Sequence, residues 1–189
     1  MGVLKNTRLR AGDRRRKKGV KMKIWILAVF RLSAETEKQI SALEAKIENI
    51  AINPFGVTVK QYRRVLELSD MRRRMCNLNI MYNLLISELN EEEVFLIAKY
   101  AYGLSANEIA AYTGLKPGAT YKRINKALNK AEKILKNAGY DYERMEKEYG
   151  EFPSVKSVLA ILKSKARKSD EKKLKELSLI HISEPTRLA

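Results

Sequence analysis

One stretch of the chain leaves few choices for its fold: GLSANEIAAYTGLKPGATYKRINKAL, Gly103 to Leu128. Ser105 followed three residues on by Glu108 has the form of a capping box, in which the hydroxyl accepts a backbone N–H and the carboxylate reaches back to the cap. A helix begins there. Ile109, Ala110 and Tyr112 give that helix a short buried side, and Gly114 supplies the positive φ with which a chain leaves a helix abruptly. Leu115 reads as the apolar plug of a tight turn. Pro117, whose missing N–H has no partner in a first turn anyway, opens a second helix at once.

In that second helix Tyr121, Ile124 and Leu128 recur at helical spacing and are expected to face inward, with Lys116, Thr120, Lys122, Arg123 and Lys126 on the outer side. Two short helices joined by a glycine turn, the second with cations on its free face, have the order of features of a helix-turn-helix. A helical hairpin with a solvated basic face is the plainer alternative.

These residues resemble a known family. The run Gly103, Leu104, Ser105, Glu108, Ile109, Ala110, Gly114, Leu115, Gly118, Thr120, Tyr121, Lys122, Arg123, Ile124 and Ala127 is similar to region 4 of bacterial sigma factors, with Tyr121 where that family carries valine. The likeness extends back over LNEEEVFLIAKYAYGLS and forward to about Leu135, roughly a quarter of the chain. It implies a helical unit whose second helix reads promoter DNA. Nothing before Leu89 resembles region 2, the part of a complete sigma factor that melts DNA. A helical arm followed by a region 4-like motif resembles instead the small phage and mobile-element regulators of the ArpU and RinA kind, which control late gene transcription.

The charge balance agrees with a polyanionic partner. Lysine and arginine number 38 against 22 acids, a net of +16, which suits nucleic acid or an acidic membrane surface. The 189 residues suffice for one domain or two small ones, and only 4 Pro and 9 Gly favour helix. A single cysteine, Cys76, and a single histidine, His181, leave no internal disulfide and no soft-ligand set for structural zinc. Cys76 reads as a small apolar filler, and a reducing cytoplasm is the expected location. With no phosphate loop or convergent carboxylate set, neither an enzyme nor a cofactor is expected.

Residues 1–32 carry eleven cations against one acid, Asp13, and read as a basic N-terminal arm. The peptide KKGVKM is also what a purine-rich ribosome-binding sequence before an ATG encodes, which makes Met22 an alternative start. Within this stretch IWILAVF, Ile24 to Phe30, is too short to span a bilayer and reads as a helix start or a buried anchor. No membrane partner is expected.

Residues 33–89 are expected to form a long helical hairpin or coiled coil. Ser33 serves as a cap before Ile40, Leu43, Ile47 and Ile50; NPFG, Asn53 to Gly56, ends that helix, and a second one runs from about Thr58 to Ser87. Leu68, Met71, Met75, Leu78, Tyr82, Leu85 and Leu89 alternate three and four along it. That seam belongs either to an intramolecular hairpin or to a homodimer. Arg72, Arg73 and Arg74 fall on faces the heptad leaves exposed, and read as a solvated surface.

Residues 90–139 are expected to form the DNA-binding unit. Asn90 and Glu93 make another capping box, and Val94, Ile97, Ala98 and Ala101 an apolar side for a supporting helix that ends at Gly103. The recognition helix continues to Gly139. Between Lys116 and Lys136 there are seven cations and one acid, Glu132. Arg123 is the best candidate for a guanine edge, and Thr120 for a thymine methyl, while Lys130 and Lys133 suit phosphate. Residues 140–177 hold a short acidic helix and a final helix with Val155, Val158, Leu159 and Leu162 on one face, fraying through the charged run Lys163 to Lys175. Residues 178–189 resemble translated sequencing-adapter sequence and take no part in the fold.

The expectation is therefore an all-α protein, an N-terminal helical hairpin or coiled coil followed by a small helix-turn-helix bundle, that binds double-stranded DNA in a sequence-specific manner. RNA polymerase is a second candidate partner. Two other readings fit the same features: a phage small terminase subunit acting in DNA packaging, and a module that binds RNA polymerase or another protein without reading DNA.

Overall fold

The computed structural model describes the backbone of residues 3–51 and 58–164, and the side chains of residues 21–51 and 58–164. The NPFG turn, the side chains of the first 20 residues, and everything from residue 165 onward, His181 and the expected adapter segment included, lie outside the described residues. Seven helices and no strand make up the described part, as an all-α fold requires. They are α1 (Val3–Ala51), α2 (Val59–Glu88), α3 (Glu91–Ala101), α4 (Ala106–Thr113), α5 (Pro117–Asn137), α6 (Tyr142–Tyr149) and α7 (residues 153–164).

Local chemistry sets most helix starts. Thr58 and Gln61, Asn90 and Glu93, and Ser105 and Glu108 all close reciprocal capping boxes, each satisfying two amides that a helix start would otherwise leave without partners. Asp141 caps α6 by accepting the Arg144 N–H at 2.8 Å. The absence of a cap at Ser33 follows the same logic. Its hydroxyl donates back to the Phe30 carbonyl at 2.9 Å, and α1 passes through the position without a break.

α1 and α2 pair antiparallel. Arg72 donates to Glu44 at 2.8 Å, and the Phe30 and Tyr82 rings meet edge to face at 5.5 Å, so position rises along one helix as it falls along the other. The expected seam is real, but this chain fills it. Leu68, Met75, Leu78, Leu85 and Leu89 are buried, and Met71 and Tyr82 pack half-buried against the same core. Of the two expected readings the packing is that of the intramolecular hairpin, in which α1 covers the side chains that a homodimer would have shared. In the arginine cluster Arg72 and Arg73 are exposed, as expected, while forming ion pairs within the chain: Asp70 accepts from Arg73 and Arg74, both at 2.6 Å, and the half-buried Arg74 donates to the Glu148 carbonyl at 3.0 Å. The Arg73 hydrogen bond first, with the two arginine charges, holds the Asp70 carboxyl below its ordinary value.

In the first 32 residues the buried anchor expected over Ile24 to Phe30 is present, and the burial extends beyond that run into the stretch expected as a basic arm. Met22, Trp25, Ile26, Leu27, Ala28, Val29, Phe30 and Leu32 are buried, all on the helix that also carries Leu43. A helix apolar on every side belongs in the middle of a fold, and here neighbours surround it. Lys23 donates to Asn125 of α5 at 3.2 Å, Trp25 Nε1 to Glu146 of α6 at 3.3 Å, and Arg31 to the Ala101 carbonyl of α3 at 3.5 Å. One hydrophobic cluster runs from Met22 to Leu162, joining the hairpin, the expected DNA-binding unit and the C-terminal helices. Met145, Tyr149 and Phe152 are buried in it with Val155, Leu159 and Leu162.

Candidate nucleic-acid interface

Three helices build the surface. α3 and α4 pack against α5 and against each other, and α1 meets α5 where Lys23 donates to Asn125. In α4, Ile109 and Ala110 face the core, while Tyr112 is 72% exposed, contrary to the inward position expected of it. Eight residues give that helix little over two turns, so its buried stripe ends with Ala110. Gly114 then adopts φ 67° and ψ 12°, the left-handed conformation that turns the chain out of α4.

Lys116 follows in an extended conformation, φ −66° and ψ 140°, as a residue before proline must, and Pro117 begins α5. No side chain caps this helix. Gly118 and Ala119 are exposed, and a Cβ built on Gly118 meets nothing within 4 Å. The start of α5 is therefore open to close approach.

The inner side of α5 is formed by Thr120, Ile124, Ala127, Leu128, Ala131 and Leu135. Thr120 corrects the expectation. It is 0% exposed, and its hydroxyl donates to the Lys116 carbonyl at 3.3 Å, so it cannot touch a base. Tyr121, expected inside, is 45% exposed. The small residues Ala127 and Ala131 lie seven and eleven positions beyond Thr120, on the same stripe of the helix. They mark where neighbouring helices come close, and a threonine fits that space where a tyrosine does not. The row of small residues was the available signal, and the hydrophobicity of tyrosine obscured it.

The outer side carries the cations. Lys116, Lys122, Arg123, Lys126, Lys130 and Lys133 are all exposed, as is Asn129 between them, a residue that charge-based reading passed over. Lys116, Lys122, Lys126 and Lys133 form no ion pair among the described residues. The other two are tied to the start of α3: Arg123 Nη1 donates to Glu92, and Lys130 lies 2.7 Å from Glu93. A groove of about 320 Å³ runs between the two helices, lined by Asn90, Glu92, Glu93, Leu96, Arg123, Lys126 and Ala127. Neither ion pair was legible in the chain, since the partners stand 31 and 37 residues apart.

Among the described residues no group of three or more His, Cys, Asp or Glu side chains is arranged to hold a metal ion, and no helix is long and apolar enough to cross a membrane. Comparison with protein-family models, with curated proteins and with solved structures returns no match.

Proposed function

We propose that the chain binds double-stranded DNA in a sequence-specific manner through α4 and α5, acting as a helix-turn-helix of the sigma region 4-like kind. The observation that carries this reading is the division of α5 into two faces. Ile124, Leu128 and Leu135 fasten one side to the core, while Lys122, Lys126 and Lys133 stand exposed on the other without ion-pair partners among the described residues. A helix held from behind, with exposed cations in front, is what a major groove accepts.

The parts divide the work. Lys116, Lys122, Lys126, Lys130 and Lys133 meet phosphates and set register, and the uncapped, unobstructed start of α5 allows the backbone to approach the strand. Arg123 reads a guanine edge with its planar fork. Resemblance to the ArpU and RinA kind makes regulation of phage or mobile-element transcription the role, with RNA polymerase as a further partner.

The test is selection of bound fragments from a random duplex library. An enriched sequence is expected, with Arg123→Ala losing about 1–3 kcal/mol on it and relaxing one base pair. Absence of any enriched sequence, with binding that depends only on charge, would overturn the reading.

A further inference from the structure

The contact between Arg123 and Glu92 has no evident part in holding the fold together. Both side chains are about half exposed, 49% and 51%, and an ion pair in such a setting adds little to stability. Nor does Glu92 serve the cap of α3. That task falls to Glu93, whose carboxylate accepts the Asn90 N–H at 3.1 Å while its own N–H reaches the Asn90 side chain at 2.8 Å. What the contact does is set where a long side chain points. One Nη1 proton is taken by Glu92, and the remaining guanidinium donors stay available at the edge of the groove between α3 and α5.

We propose that Glu92 is a positioning residue for base recognition: it holds the Arg123 fork in a fixed orientation toward the duplex. The inference rests on the reading of α5 as the groove-entering helix, and deepens it by naming what sets the specificity of its one arginine. A carboxylate at this place has two opposed effects on binding. Its charge repels phosphate and weakens attachment to every sequence, whereas the ordering of Arg123 penalises the wrong base. Affinity and discrimination therefore move in opposite directions when it is removed.

The experiment measures binding of the wild type, Arg123→Ala, Glu92→Ala and Glu92→Gln to the selected duplex, its single-base variants and a scrambled duplex. Thermal unfolding of each protein is recorded alongside. At the base pair where Arg123→Ala relaxes discrimination, Glu92→Ala is expected to lose at least about fivefold of it while binding the scrambled duplex more tightly. Glu92→Gln keeps an acceptor oxygen and is expected to retain the discrimination. A Glu92→Ala protein that discriminates as the wild type does, changing only its unfolding midpoint, would overturn the proposal and leave DNA recognition by α5 standing. A wild type that selects no sequence overturns both, and so the two failures are distinct.

Discussion

Lys130 Nζ lies 2.7 Å from the Glu93 carboxylate, which also accepts the Asn90 backbone N–H at 3.1 Å. One acid thus closes the cap of α3 and ties down the middle of α5. Partial burial pushes the Glu93 carboxyl up. The Lys130 hydrogen bond, the Asn90 amide, and the charges of Lys130 and Lys126 outweigh that and hold it below its ordinary value.

Linkage gives the sign of the pH dependence. As pH falls, the unfolded chain takes up the Glu93 proton first, so the contribution is complete above the ordinary value of 4.5 and is lost as pH falls through the lower folded value. Thermal midpoints measured from neutral pH into acid should fall less steeply for Glu93→Gln than for the wild type. Near neutrality the variant should be less stable by up to about 1 kcal/mol. Parallel curves would show that the pair contributes nothing.

Exposed lysines on α5 should act on DNA through charge alone. Four or five neutralised phosphates give a log–log salt slope of about −4, and Lys122→Ala or Lys133→Ala should each lower its magnitude by about 0.9. The loss should be the same on specific and scrambled duplexes. A selective loss would mean that the lysine touches a base.

Thr120→Val should leave base discrimination unchanged, because the side chain is enclosed and its hydroxyl is spent on the Lys116 carbonyl. The cost falls on stability instead, on the order of 1 kcal/mol for the lost hydrogen bond. Chemical denaturation, together with binding to duplexes varied at each thymine, separates the two effects.

Gly114→Ala isolates a backbone cost. An added Cβ meets nothing within 4 Å, yet φ stays at 67°, so the variant should unfold about 1–2 kcal/mol more easily from strain alone. Unchanged stability in urea would mean that the turn relaxes without loss.

Leu85→Ala should cost about 2–5 kcal/mol, since the side chain is fully enclosed. Its unfolding midpoint should not vary with protein concentration, because α1 of the same chain completes the seam. A midpoint that rises with concentration would show that a second copy does so.

The sequence by itself determined what depends on near neighbours. Capping boxes at Asn90 and Ser105, the left-handed turn at Gly114, the proline start of α5 and the three-and-four spacing of α2 are each settled within a few residues. Periodicity named the inner positions Ile124 and Leu128 for the same reason. Only the tertiary structure decided what depends on distant partners. Ile24 to Phe30 reads as a helix start or a buried anchor, and what buries it is seen only when α2, α3, α5 and α6 are found packed on α1. Thr120 and Tyr121 exchange places because the space between packed helices, not the polarity of a residue, chooses which side chain goes in. Glu92 joins Arg123 across 31 residues of chain, a distance over which no local rule operates.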